Sequence, residues 1–394
     1  MVEQKPALST LDDRHHTRPP LPSLTGLRFL AAVLVVLTHT SLLFNPLMPT
    51  EPVSFFGDHD LAVWWDNFFK SAGPVGVSFF FVLSGFVLTW SSRPGDRPGA
   101  FWRRRAVKIY PNHVATWAVS MVLFAAATTP WFAWLPNLFL VHAYSTDPVV
   151  LQSVNFPSWS LCAEVLFYAL FPVFIVWIRK IPEARLWMWA GVMVAGVALV
   201  PLLTPLINGG VMMPRNGATT LQWWFAYPFP VPRLVEFVLG MVLARIVMAG
   251  KWPRIGLLPS AIVFAVGYWL TLLLPKVYGL TLTTIAGVGM IICAAATSDL
   301  TGGGGAWLRS RVMVWLGTVS FAFYMVQGPV IFYGRTQFLG TFDTVPAFGL
   351  LIALILLNLL AAWLLYRLVE EPMMRHFSRS KKRPRTESVS TPAG

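Results

Sequence analysis

Residues 24–44, LTGLRFLAAVLVVLTHTSLLF, form the first long apolar segment of the chain. A helix of about 20 apolar residues is long enough to cross a bilayer, so this segment predicts a membrane span. Two ionisable side chains, Arg28 and His39, interrupt it. Because an ionisable group inside a span is energetically costly, each of them is a candidate functional residue.

The composition of the whole chain also indicates a membrane protein. Of its 394 residues, 56% are hydrophobic and only 12% are charged, whereas soluble domains carry about 25% charged residues. These proportions exclude a soluble globular enzyme. The high hydrophobicity also excludes an intrinsically disordered chain.

The net charge of +13 does not indicate a nucleic-acid partner, because the basic residues cluster beside apolar segments. Clusters at residues 93–108 and 375–385 follow the pattern of cytoplasmic loops, in which lysine and arginine are enriched. Such clusters also attract anionic lipid headgroups or an anionic cosubstrate. The predicted partners are therefore the lipid bilayer and small molecules, with no nucleic acid.

Further apolar segments divide the chain into about ten predicted spans, which begin near Leu24, Gly73, Val107, Leu161, Leu186, Val231, Ile255, Leu280, Val312 and Val345. Residues 131–142 are too few to span and are predicted to be re-entrant or interfacial. Counting them as an eleventh span would move Arg179 and Lys180 outside, against the positive-inside pattern. We therefore predict an all-α, polytopic helix bundle in the cell membrane, with both termini in the cytoplasm.

These predicted spans divide the chain into three parts. Residues 1–23 are predicted to be a cytoplasmic N-terminal tail without a cleavable signal peptide. Residues 24–377 form the transmembrane domain, and residues 378–394 form a disordered, basic cytoplasmic tail. Both cysteines, Cys162 and Cys293, lie in apolar segments, where free buried thiols are expected.

Arg28 and His39 are 11 positions apart in the first span. At about 100° per residue they lie within roughly 20° of one another around the helix, and they are about 16 Å apart along it. An anionic group could rest on Arg28 while chemistry occurs near His39. The structural alternatives are a packed histidine bonded to a backbone carbonyl and an arginine that extends to the cytoplasmic interface.

Other polar residues in apolar surroundings need partners. Glu164 requires an arginine, a histidine or a bound proton. Arg233 and Glu236, three apart at the start of a span, are predicted to pair with each other. Ser84-Gly85 allows another backbone to approach closely, and Ser84 lacks the sequence context of a nucleophile.

Four cations lie at a predicted cytoplasmic helix start, namely Arg103, Arg104, Arg105 and Lys108. Arginine and lysine there could clamp the phosphates of a cytosolic cosubstrate, or they could be topology anchors. The sequence contains no P-loop, no dinucleotide-binding glycine pattern and no zinc-ligand spacing. We therefore predict no metal and no bound cofactor.

Together these segments resemble the membrane acyltransferase-3 family, whose members transfer acyl groups to hydroxyls of sugars and secondary metabolites. The resemblance runs from about residue 21 to 377, and the segments that carry it are residues 24–39, 76–86, 103–111, 159–172, 233–240, 316–324 and 370–372. It implies an acyl-CoA donor as cosubstrate. It also implies that His39 is the catalytic residue and that Glu164 is the family's acid. Donor or substrate contacts are implied for Arg28, Ser84, Arg103, Arg104, Arg105, Lys108, Trp159 and Tyr168.

Two positions depart from the family pattern. Lys108 stands where a second arginine is common, so a cation is kept but its bidentate geometry is lost. Gln327-Gly328-Pro329 stands where many polysaccharide-modifying members have His-Trp-Pro. The second departure favours the branch that acylates macrolide-type antibiotics or their sugars.

The sequence therefore predicts an integral membrane O-acyltransferase in which His39 is the general base. Glu164 is expected to orient His39 or to hold the acceptor. A second interpretation is a transporter that uses His39, Arg28 and Glu164 as a proton or substrate relay, although the sequence shows no inverted repeat. A purely structural membrane protein would leave the aligned Arg28 and His39 unexplained.

Overall fold

The computed structural model describes residues 18–377, except 42–43, 46–47, 53–54, 214–216, 275–278, 280 and 339. For residues 44–45 and 48–52 it describes the backbone alone. The predicted basic tail at 378–394 and residues 1–17 of the predicted N-terminal tail lie outside the described residues.

Helices make up almost all of the described chain. In order, the α-helices are α1 (Pro22–Ser41), α2 (His59–Phe69), α3 (Ala72–Ser91), α4 (Pro98–Ser120), α5 (Ala126–Thr128), α6 (Trp131–Leu138), α7 (Pro148–Leu151), α8 (Trp159–Lys180), α9 (Leu186–Leu203), α10 (Thr220–Ala226), α11 (Pro230–Met248), α12 (Leu257–Leu273), α13 (Ile285–Thr301), α14 (Arg311–Met325), α15 (Tyr333–Thr336), α16 (Thr344–Leu365) and α17 (Glu371–Phe377). The prediction of an all-α bundle is therefore confirmed.

Shorter elements join or extend these helices. π-helical turns occupy Met121–Ala125, Gly328–Phe332 and Tyr366–Glu370, and 3-10 turns occupy His142–Tyr144, Phe156–Ser158, Glu183–Arg185, Thr204–Leu206 and Ala306–Arg309. Two small antiparallel pairs lie in connections: β1 (Phe44–Asn45) with β2 (Met48–Pro52), and β3 (Met212–Met213) with β4 (Ala218–Thr219).

Five helical segments of the described chain are long and apolar enough to cross a membrane, or six if one bent pair is a single span. They are Pro22–Ser41, His59–Ser91, Phe156–Lys180, Glu183–Leu206, Thr344–Phe377 and the bent pair Arg311–Met325 with Gly328–Thr336. Helices also lie at the other predicted spans, but α12 and α13 have only 17 residues each. The count of about ten spans stays a prediction.

Helix α1 packs against both α3 and α14. Helix α3 also packs along α11. A Cβ on Gly85 would overlap the backbone carbonyl of Phe237, and one on Gly240 would overlap that of Val82. The two glycines therefore let α3 and α11 cross in backbone contact, as the Ser84-Gly85 step predicted.

The chain turns by 64° between α14 and the helical segment that starts at Gly328. Pro329 has no N–H group for a regular helical hydrogen bond, and a π-helical turn follows the bend. The Asn155 amide donates to the carbonyl of Met325 at 3.0 Å, which satisfies one of the free carbonyls at the end of α14. This bend brings Gln327 to the C-terminal end of α1.

Candidate active site

A cavity of about 300 Å³ lies between α1, α3, α4, α8, α14 and α17. We call it the cationic cavity, because three of its lining side chains are Arg28, Arg105 and Lys108. Its other polar lining residues are Ser84, Ser160, Glu164, Tyr168, Ser320 and Tyr324. Six of the residues predicted for the site thus meet in one place, although they come from four different helices.

Glu164 is the carboxylate of the cationic cavity. It accepts a hydrogen bond from the Tyr168 hydroxyl at 3.0 Å, one turn further along α8. Arg28, Arg105 and Lys108 all lie within electrostatic range of it. Arg28 and Arg105 are the arginines that the sequence called for near Glu164, whereas its hydrogen-bond partner, Tyr168, was not among the predicted partners.

Arg105 is held by aromatic rings. Its guanidinium lies 5.8 Å from the ring centroids of both Phe101 and Tyr168, within cation–π range. Its Nε is buried and has no hydrogen-bond partner among the described residues. Ser84 approaches the same tyrosine with its hydroxyl, at 3.4 Å, which is a weak contact.

Lys108 is already paired within the protein. Its ammonium group forms an ion pair with Glu370, and the other oxygen of Glu370 accepts from the Asn112 amide at 2.5 Å. Glu370 is only 2% exposed. Lys108 therefore lines the cavity as a neutralised cation.

Glu370 is a site residue that was not predicted from the sequence. It was named only within residues 370–372, which carry part of the family resemblance. The signal was present, because a lysine among apolar residues needs a carboxylate and Glu370 ends an apolar span. What the sequence does not contain is the fold that brings α4 and the last turns of the chain together.

A second cavity of about 390 Å³ shares Arg105 and Leu88 with the cationic cavity. Arg93, Arg104 and Arg179 line it together with Arg105. Arg104 thus faces a cavity, whereas the adjacent Arg103 is exposed and lies outside the lining of both. The predicted cluster of four cations is therefore divided between different environments.

Trp159 is buried, and its ring lies 4.6 Å from that of Tyr227. It does not line either of the two cavities described above. Its geometry is that of a packed core residue.

The predicted ion pair of Arg233 with Glu236 is confirmed, with a separation of 2.9 Å. Arg233 also donates to Ser78 at 3.2 Å.

His39 lies outside the lining of the cationic cavity, in what we call the histidine pocket. Its Nδ1 is 2.5 Å from Oε1 of Gln327. The rings of Phe332 and Phe156 lie 4.9 Å and 6.0 Å from the imidazole, measured between centroids. The ring is only 6% exposed, so three neighbours hold it in one orientation.

Glu164 and His39 do not bond to each other in the structure, although Glu164 was expected to orient His39 or to hold the acceptor. Gln327 bonds the imidazole, and Glu164 is bonded to Tyr168.

The cationic cavity and the histidine pocket nevertheless take residues from the same two segments of the chain. Tyr324 of the cavity lining is one helical turn before Gln327, and Ser160 is one turn after Phe156. The Tyr324 hydroxyl joins these segments by donating to the Pro157 carbonyl at 2.9 Å.

Comparison with known proteins decides the family. The family model described as an acyltransferase domain matches residues 21–367.

The chain belongs to the acyltransferase-3 family. It is 36% identical to the acyltransferase MdmB of Streptomyces mycarofaciens, over 92% of this chain and 93% of that protein. It is 25% identical to a protein of Bacillus subtilis, YrhL, whose name describes a peptidoglycan O-acetyltransferase, over 93% of this chain and 57% of that protein.

A third relative, the exopolysaccharide production protein ExoZ of Rhizobium meliloti, is 30% identical over 46% of this chain. No solved structure matches the chain. Membership of the acyltransferase-3 family makes the protein an enzyme that transfers acyl groups other than amino-acyl groups. Its helices and its family make it a membrane protein.

Proposed function

We propose that this acyltransferase moves a short acyl group from acyl-CoA to a hydroxyl of a sugar or macrolide-type secondary metabolite, with His39 as the general base. The observation that carries the proposal is the cationic cavity, in which Arg28 and Arg105 face an apolar lining together with the paired Lys108. Tyr324 of this lining is three residues before Gln327, which bonds His39. Such a cavity suits a donor that is anionic at one end and apolar along its arm.

The cations suit the donor's phosphates. In our proposal the phosphates lie near Arg104 and Arg105, at the second cavity, and the pantetheine arm runs through the cationic cavity past Arg28. The distance from Arg28 to His39, about 16 Å along the helix, is the length that an extended arm would cover. The apolar lining excludes water and so limits hydrolysis of the thioester.

The reaction begins when Nε2 of His39 takes the proton of the acceptor hydroxyl. The hydroxyl oxygen then attacks the thioester carbonyl, forming a C–O bond and a tetrahedral oxyanion. Collapse of this intermediate breaks the C–S bond. The leaving thiolate takes the proton from the imidazolium, which yields the ester and free coenzyme A and regenerates the base.

For the acceptor, the proposal rests on resemblance. The match to MdmB covers nearly all of both chains, and Gln327 stands where many polysaccharide-modifying members have histidine. Both facts favour a small secondary metabolite over a cell-surface polymer. The basic loops support a place in the cell membrane with both termini in the cytoplasm. Membership of a family of acyltransferases favours transfer chemistry over the transporter interpretation.

The test uses membranes that contain the full chain. They are incubated with radiolabelled acetyl-, propionyl-, butyryl- or isovaleryl-CoA and a panel of hydroxylated acceptors that includes macrolides, aminosugars and polysaccharides. We expect label in the ester of a glycosylated or macrolide-type acceptor and release of free thiol in equal amount. Transfer to polysaccharide alone would refute the acceptor class, and no transfer from any acyl-CoA would refute the donor.

A further inference from the structure

Gln327 has no role in the reaction as described so far, yet it is the hydrogen-bonding neighbour of the proposed base. It lies at the 64° bend that follows α14, and its side chain is completely buried. Its Oε1 is 2.5 Å from Nδ1 of His39. Its Nε2 is buried with no hydrogen-bond partner among the described residues.

The chemistry of the two groups decides which nitrogen of His39 carries the proton. In the structure the amide oxygen of Gln327 faces the ring, and because this oxygen accepts hydrogen bonds, Nδ1 of the neutral ring is the donor in this arrangement. The proton of the imidazole is then on Nδ1, and Nε2 keeps its lone pair. A neutral histidine side chain in water favours the opposite arrangement, with the proton on Nε2.

We propose that Gln327 is the positioning residue of the base, which holds His39 as the Nδ1–H tautomer so that Nε2 is free to accept the proton of the acyl acceptor. This inference rests on the proposed role of His39. The aromatic rings of Phe156 and Phe332 restrict rotation of the imidazole, so the hydrogen bond sets both its orientation and its tautomer.

The use of an amide in this position has a consequence for pH dependence. A carboxylate would also accept from Nδ1–H, but its charge would stabilise the protonated imidazolium. Gln327 orients the ring without adding charge. In the family pattern a histidine is common here, which can gain a proton and become charged, whereas the amide of Gln327 stays neutral.

The first test reads the tautomer directly. Full-length protein labelled with ¹⁵N-histidine is reconstituted in lipid nanodiscs, and the signals of His39 are assigned by their loss in His39→Asn. The chain has only seven histidines, so the assignment is tractable. We expect a protonated Nδ1 and an unprotonated Nε2 in the wild type, and reversal to Nε2–H in Gln327→Leu. A protonated Nε2 in the wild type, or an unchanged tautomer in Gln327→Leu, would overturn the proposal.

The second test is kinetic and guards against misfolding of Gln327→Leu. This variant should lower kcat by about 100-fold, within the range of roughly 10²–10⁴ that a positioned base contributes, while KM for acyl-CoA is unchanged. Gln327→Glu keeps an acceptor, so it should recover most of the activity, with the acidic limb of the pH–rate profile moved to higher pH. Gln337→Leu, at an exposed glutamine, is the matched control and should behave as wild type.

The two tests separate this inference from the proposed function. An inactive Gln327→Glu together with an active Gln327→Leu would contradict the positioning role. If the wild type shows the Nδ1–H tautomer but transfers no acyl group, the proposed function fails while the tautomer assignment stands. If the wild type transfers acyl groups while Nε2 is protonated, the tautomer assignment fails and the proposed acyl transfer stands.

Discussion

Arg28 and His39 lie on one helix, but the two sites they belong to are built differently. The cationic cavity collects side chains from six helices around about 300 Å³ of open space and contains three cations with one carboxylate. In the histidine pocket one amide and two aromatic rings contact a buried imidazole. A charged, open site is suited to binding an anionic ligand, and a buried imidazole held in one orientation is suited to moving a proton.

We infer that the cationic cavity serves binding and the histidine pocket serves chemistry, although Arg28 and His39 lie on a single helix. Substitutions in the cationic cavity should therefore act mainly on KM, and substitutions in the histidine pocket should act mainly on kcat.

His39→Gln should lower kcat by roughly 10²–10⁴, because it removes the base and leaves the fold in place. The exposed His59 provides a matched control, and His59→Gln should keep wild-type turnover. Both variants are compared by release of free thiol from acyl-CoA and by thermal melting in detergent. Near wild-type turnover of His39→Gln would show that the chemistry occurs elsewhere, and the comparison of the two sites would then collapse.

Glu370→Gln should destabilise the protein by about 1–3 kcal/mol, because it removes the counter-ion of the partly buried Lys108 ammonium. The effect is measured as a loss of thermal stability of the purified full chain. The double variant Lys108→Met with Glu370→Gln should recover much of this loss, since no unpaired charge remains. Equal stability of Glu370→Gln and the wild type would show that Lys108 is free to bind ligand.

Arg105→Met should raise KM for acyl-CoA about tenfold with little change in kcat, since a lost charge-assisted hydrogen bond is worth roughly 1.5–3 kcal/mol. Arg103→Met, on the exposed side of the same helix, should change KM by less than about twofold, as is usual for a surface charge. Steady-state kinetics with varied acyl-CoA distinguish the two. A larger effect from Arg103 would place the phosphates outside both cavities.

Ser84→Ala should have the smallest effect, at most about threefold on either kinetic constant. Its hydroxyl makes only a 3.4 Å contact with Tyr168, and a net hydrogen bond is worth about 1 kcal/mol at best. The measurement is again steady-state kinetics at saturating acceptor. Abolished turnover with intact folding would make Ser84 a nucleophile, contrary to the absence of a base beside it in the sequence.

The membrane character of the protein and much of its site could be predicted from the sequence. The length of each apolar segment and the placement of basic residues indicate membrane spans, and both can be assessed one segment at a time. Arg28 and Glu164 could be singled out because a polar group in an apolar segment is conspicuous without knowledge of its neighbours. The confirmed pair of Arg233 and Glu236 is also local, since residues three apart on a helix are adjacent.

What the sequence could not supply were the partners. Gln327 is 288 positions from His39, and Glu370 is 262 positions from Lys108. Periodicity within a helix says which side chains share a face, but it does not say which helix that face meets. Of the two roles predicted for Glu164, orienting His39 needs a contact that the structure does not contain, and holding the acceptor stays a prediction.

By itself, then, the sequence determined that the chain is a helical membrane protein with ionisable residues along its first span, because those properties depend on composition and local spacing. Only the tertiary structure decided that Arg28 meets Glu164 and Lys108 in one cavity, whereas His39 meets Gln327 in another pocket. The physical reason is that these contacts depend on how helices far apart in the chain pack together, on the glycine crossing of α3 with α11 and on the bend after α14.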